Sequence, residues 1–438
     1  MKKCYVLLLF TMLGFTINAQ SVWDGTAMTW TKGDGTSTNP YLIENGQHLA
    51  YLSEQVRNGE TYKNKFFKLN NDLDMGATAD HKFTPIGVFD EYTDSSKPEL
   101  GIVDDSKYFL GVFDGNNKKI DNIHVFFIDE QSVGGTGLFA CISTGAAIKN
   151  LGIGENSIIE GGDGTGSLVG NMKGGIIENC YNEGLVTGIG GSFFTGGLVG
   201  EYGKITNCYN TGMVKGVSDV GGIVGYVDKN FTIDNCYNCG MINASGLFVG
   251  GLVGLMYAGT ITNSYNIGMI SDGPLFVNAI VGATDMDPFV IKNCYYSKEL
   301  TNIGEEITNG ISEKSVEEMK AASFITLLNG GQNPIAWTAD TRNINGGFPI
   351  LVWQSSPVTG IQNASEKTDC NIYIVDKSIV VECSENVPCQ MNVINLNGEI
   401  INSQTFLKNN SLNITDNGIY IVTVNINGQQ YTSKVVIK

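Results

Sequence analysis

Cys180, Cys208, Cys236 and Cys294 each stand between an Asn and a Tyr, in "IENCYNEGLV", "ITNCYNTGMV", "IDNCYNCGMI" and "IKNCYYSKEL". A thiol, an amide and a phenol side by side could form a chemical site. The same trio, repeated, could equally be a structural rung. Spacing separates the two. Aligned on the Asn of each I-x-N element, the positions are Asn122, Asn150, Asn179, Asn207, Asn235, Asn263 and Asn293, at intervals of 28, 29, 28, 28, 28 and 30. A fixed period of this length is the mark of a solenoid.

The elements that must position these residues follow from the period. "GLVG" or "GIVG" runs and "GLVTG" or "GMVKG" runs recur between the Asn positions. Each period therefore holds three short apolar runs bounded by Gly and Asn, too short for helices and typical of strands. Stacked on their equivalents one turn away, they predict an all-β protein, a parallel β-helix with coils of about 28 residues. About eight coils at ~4.8 Å give a rod of roughly 40 Å.

Column composition assigns side-chain direction. The Cys208 column reads Ile123, Leu151, Cys180, Cys208, Cys236, Ser264 and Cys294, apolar or small, so it points inward. Stacked rungs hold equivalent Cβ atoms ~4.8 Å apart, beyond disulfide reach, so these are buried free thiols. Cys370, Cys383 and Cys389 in the tail are the better place for a bridge. The Asn207 column marks a bend whose amide bonds its own turn and stacks along the rod. The Tyr209 column also holds His124 and Gly152, so it faces out. Tyr181, Tyr209, Tyr237, Tyr265 and Tyr295 are the candidate binding residues, as flat rings that could stack on a sugar or an apolar patch. Mutual packing of the rings is the competing role. Phe193 and Phe194, in a "GSFFTGG" loop, offer another contact point.

This pattern resembles the GLUG repeat of bacterial surface and large secreted proteins, over roughly residues 130–296. The resemblance implies a right-handed parallel β-helix in an adhesin-like protein. GLUG repeats also accompany metallopeptidases, which need H-E-x-x-H; His48, His81 and His124 form no such motif. Polysaccharide lyases and hydrolases on β-helices need clustered carboxylates. Glu183, Lys204, Asp219, Asp228 and Asp234 recur in no column, so no catalytic residue is assigned. Asp24, Asp34, Asp163, Asp72 and Asp74 lack calcium-loop spacing and read as turn residues. No metal or cofactor is expected.

The ends complete the organisation. Lys2 and Lys3, the apolar run from Val6 to Phe15 and a cleavage site after Ala19 read as a signal peptide, residues 1–19. Residues 20–130 form an N-terminal cap and irregular first coils, with Leu49, Leu52 and Val56 on one helix face and Gly59 as its stop. Repeats occupy 131–300. A C-terminal cap, 301–353, carries a capping box at Ser315 and Glu318, a helix over 315–331 stopped at Gly330, and a closing strand over 345–353. A polar linker, 354–367, leads to an antiparallel β-sandwich of about seven strands, 368–438.

That tail, ending "GIYIV" and "KVVIK", resembles the C-terminal sorting domain of the Bacteroidetes type nine secretion system, although Gly398-Glu399 stands where Gly-Arg is usual. The resemblance implies contact with secretion machinery. With a net charge of −17, the surface repels phosphate backbones, so nucleic acid is excluded as a partner. No segment of the mature chain is apolar and long enough to span a bilayer. The reading is an extracellular or surface-displayed, non-enzymatic adhesin-like β-helix that binds a glycan or host protein. A carbohydrate-active enzyme on the same fold, or a structural spacer, are the alternatives.

Overall fold

The computed structural model describes residues 22–437 apart from 77–81, 90, 94–100, 104–105, 128–134, 229–230, 272–274, 286–288, 308, 356–369, 376, 384–387, 396–399, 408, 417 and 427–428. The expected signal peptide, His81 and most of the linker lie outside them. The chain divides into two units, Met1–Pro357 and Val358–Lys438.

The first unit is a parallel β-solenoid whose coils stack in the predicted register. Its first wall pairs Ile177, Ile205, Ile233, Ile261 and Ile291 in sequence. On the same wall Tyr181, Tyr209, Tyr237, Tyr265 and Tyr295 are direct neighbours. A second wall stacks strands such as Leu185–Gly188 on Val214–Gly216. The "GLVG" runs form another wall, in which Val169, Val199, Val224, Val253 and Val281 align. The inward residues of these walls are buried and fill the interior, which is the main source of stability in a solenoid.

The coil has one more wall than three apolar runs suggest. Phe193 and Phe194 do not lie in a loop. They open the strand Phe193–Gly196, which stacks on Ser218–Gly221, Leu247–Gly250 and Leu275–Asn278. This wall packs back to back on the "GLVG" wall. A Cβ on Gly225 would lie 2.4 Å from the Phe194 carbonyl carbon, so only glycine permits the approach.

Helix α1, Gly46–Arg57, buries Leu49, Leu52 and Val56 at the N-terminal end, with Asn45 as its N-cap accepting from His48 N. After the last coil come α2 (Lys298–Thr301), α3 (Val316–Lys320) and α4 (Ala322–Asn329). The capping box at Ser315 and Glu318 forms as expected, and Gly330 ends α4 in the left-handed conformation. The single helix expected over 315–331 is broken at Ala321, whose ψ of 149° is extended. The strand expected over 345–353 is shorter than that and does not extend the solenoid. Ile350–Leu351 pairs antiparallel with Trp337–Thr338, and α5 (Val352–Ser355) follows.

The second unit has seven strands among its described residues, in antiparallel sheets of three and four. Val381, Met391, Val393, Val422, Val424 and Val435 form its core. The main chain places Cys370 opposite Cys383, and Cys389 is buried. The side chains of Cys370 and Cys383 lie outside the described residues.

Candidate functional site

The Asn-Cys-Tyr trio separates into three structural roles. Each Asn of the I-x-N column has a positive φ, from 50° at Asn263 to 59° at Asn293, which Asn tolerates better than other side chains. Each Cys points into the core. Cys208 Sγ accepts from Cys180 N at 3.3 Å, and Cys236 N donates to Ser264 Oγ at 3.0 Å. Burial pushes the Cys208 thiol well up and the Cys294 thiol to about 12, so neither is a nucleophile at neutral pH. Cys180, Cys208, Cys236 and Cys294 are free thiols, as the rung spacing requires.

The tyrosines do face out of the coil, but they are not an open face. Their rings stack with centroids 5.0, 4.9 and 5.1 Å apart from Tyr181 to Tyr265. The C-terminal cap lies over them. Trp353 stacks on Tyr181 and Tyr209, and Trp337 packs on Tyr237 and Tyr265. Phe324 meets Tyr265 and Tyr295 edge-on. Tyr237 is 1% exposed and Tyr265 0%. Their hydroxyls are used inside the seam: Tyr265 donates to Pro349 O, and Tyr237 bonds the Gln354 amide. The expectation of an exposed ring column is therefore corrected: Tyr237, Tyr265 and Tyr295 are buried, and Tyr181 and Tyr209 are half-buried under Trp353. A segment with apolar rings of its own covers the column, because stacked phenols offer a continuous apolar surface to bury.

Sequence reading missed a second amide ladder, one residue beyond each Tyr of the central coils. Asn182 Nδ2 donates to Asn210 Oδ1 at 2.8 Å, Asn210 to Asn238 at 2.9 Å, and Asn238 to Asn266 at 2.9 Å. All four are buried, and each Nδ2 also donates to the carbonyl of the Gly two residues on. The recurrent N-x-G signal was the available clue, since such an Asn folds back on its own turn.

Open to a ligand is a cleft of about 550 Å³ where both columns end. Thr262, Lys292, Asn293, Tyr295, Ser312 and Gln332 are among the residues lining it. Asn293 Nδ2 donates to Asn263 Oδ1 at 2.8 Å and to Leu327 O at 2.8 Å, while Tyr295 OH donates to Asn293 Oδ1. The amide wall is thus fixed in orientation. Lys292 Nζ and Ser312 Oγ make no hydrogen bond to the described residues. The cleft offers mostly neutral donors and acceptors, one ammonium and one phenol ring, a set suited to a polyhydroxylated ligand.

The charged residues considered for catalysis do not converge. Lys204 and Asp234 sit on the first wall, Asp219 on the Phe193 wall, and Asp228 beyond the "GLVG" wall. Asp234 is occupied by Thr262 and Asn263 at 2.6 and 2.9 Å. The turn carboxylates are likewise engaged: Asp24 and Asp34 accept from Thr26 N and Thr36 N, Asp163 from Phe193 N, Asp72 from Lys119 N, and Asp74 from Gly76 N. Among the described residues no group of three or more His, Cys, Asp or Glu could hold a metal ion, and no helix is long and apolar enough to cross a membrane.

Comparison with known proteins bears on both units. Residues 371–438 match the family described as "Secretion system C-terminal sorting domain". The tail marks the chain for secretion, toward the cell surface or the extracellular space. Halomucin of Haloquadratum walsbyi is 31% identical over 178 residues, 40% of this chain and 2% of that protein. A protein of Evansella cellulosilytica, named "Putative Gly-rich membrane protein", is 32% identical over 183 residues, 40% of this chain and 18% of that one. The chain thus spans less than a fifth of either relative. No solved structure matches.

Proposed function

We propose that this is a surface-displayed or released, non-enzymatic, adhesin-like β-helix of the GLUG-repeat type that binds a glycan or a host surface protein. Its C-terminal domain engages a type nine secretion system of the Bacteroidetes kind. The observation that carries the binding role is the cleft at the end of the tyrosine and asparagine columns. Its amides are held in place by the Asn ladder and α4, which take up their N–H groups, so a sugar ring entering it meets preset oxygen acceptors together with the Lys292 ammonium and the Ser312 hydroxyl. Sugars bind through many neutral hydrogen bonds and one ring contact, and the cleft supplies both kinds.

A glycan and host-matrix array tests this with the exported chain and a Lys292→Ala, Ser312→Trp variant that narrows the cleft. Binding to one ligand class, weakened at least tenfold in the variant and retained in Phe193→Ala, supports the reading. Absence of any binding favours the spacer. Release of soluble products from a polysaccharide favours an enzyme.

A further inference from the structure

The last coil leaves part of its edge uncovered. Thr301 O accepts from Ile270 N, Gly304 O from Ala279 N, Glu305 Oε2 from Ile280 N, and Ile311–Glu313 pairs with Cys294–Tyr296. Among the described residues no strand pairs with the outer edges of Leu275–Asn278 and Val281–Thr284, which end their sheets; Val281 N, donating to Glu305 Oε2, and Asn278 Oδ1, accepting from Glu306 N, are engaged there. The side chains there are correspondingly bare. Leu275 is 66% exposed, Phe276 60% and Val290 53%, while Leu247, covered by Leu275 one coil on, is 37% exposed.

Two features say what covers this end. First, columns in this chain pair like with like. Tyr stacks on Tyr, Asn bonds Asn, and Phe248 stacks on Phe276 at 5.4 Å. Phe276 holds a φ of 59°, a conformation costly for a bulky side chain, and has no ring on its far side among the described residues. Second, the edge sequence 275–284, "LFVNAIVGAT", has no charged residue, in a chain whose net charge is −17. Contact between two copies along their flanks brings many like charges together, whereas contact through this edge brings only Asp285 and the capping Glu305, whose carboxyl burial raises to about 7.

We infer that the open end of the solenoid pairs with the same end of a second copy, edge strand to edge strand, antiparallel about a two-fold axis. Unpaired main-chain groups specify an extended strand as the occupant, and a second copy supplies one with matching Leu and Phe side chains. The contact is small, so a weak dimer in the micromolar range is expected.

Sedimentation velocity on the full exported chain, from about 1 to 200 µM, tests the inference. A concentration-dependent dimer is expected, weakened at least tenfold by Phe276→Asp and by Leu275→Lys, and unchanged by Phe193→Asp, an exposed site on an inner coil. Moderate salt should strengthen it by screening the net charge. A monomer throughout the range overturns the inference. So does a dimer indifferent to both edge variants, or a monomer that instead captures an extended apolar peptide at this edge.

Discussion

Two asparagines three positions apart in one coil should respond to substitution to very different degrees. Asn210 is fully buried in the inner ladder. Its Nδ2 donates to Gly212 O and Asn238 Oδ1, both at 2.9 Å, and its Oδ1 accepts from Asn182 Nδ2 at 2.8 Å. Asn210→Ala removes three buried hydrogen bonds at about 1 kcal/mol each and leaves Gly212 O without that partner, a loss of about 3–4 kcal/mol. Asn207 has a left-handed φ of 55°, and its Oδ1 has no partner. Asn207→Gly should therefore cost under ~1 kcal/mol, and Asn207→Ala about 1–2 kcal/mol through backbone strain alone. Urea unfolding followed by far-ultraviolet and tyrosine circular dichroism measures both, with coincident transitions as the check on cooperativity. Equal losses for Asn210→Ala and Asn207→Gly would refute the division into ladder and bend residues. So would a loss below ~1 kcal/mol for Asn210→Ala.

Further outcomes follow from buried groups. Burial raises the Asp219 carboxyl from 3.8 to about 6, and its Oδ1 has no hydrogen-bond partner. The folded chain then holds a proton that the unfolded chain lacks between those values, so this group's contribution improves as pH falls from 7 toward 4. Asp219→Asn should stabilise the protein by about 1–2 kcal/mol at pH 7 and by little near pH 4, read from thermal melts across that range. Cys180, Cys208, Cys236 and Cys294 should resist a thiol reagent in the native state and react together on unfolding. Rapid labelling of any one before unfolding would contradict their place in the core.

Much of the solenoid was legible because its rungs repeat the same chemistry. Ile205 and its equivalents had to be inward, and Asn at a bend anticipates the left-handed turn found there. The Phe193 wall was hidden for a physical reason. Phe194, Asp219, Phe248 and Phe276 occupy left-handed positions, and the preceding coils carry Gly135 and Gly164, also left-handed. No hydrophobic alternation survives in such a column. The inner Asn ladder was readable from N-x-G but was overshadowed by the neighbouring tyrosines. The cap over those tyrosines was not readable. Trp337 meets Tyr237 and Trp353 meets Tyr209 across a hundred residues of chain or more, and nothing local in either segment names the other.

Reassignment of the tyrosine column from an open face to a sealed seam is tested most directly by hydroxyl-radical footprinting of the exported chain. Tyr237 and Tyr265 should be labelled only at background level, while Phe193 is labelled readily. Labelling of Tyr237 and Tyr265 at the rate of Phe193, in a chain shown by circular dichroism to be folded, would mean that the cap does not cover the column.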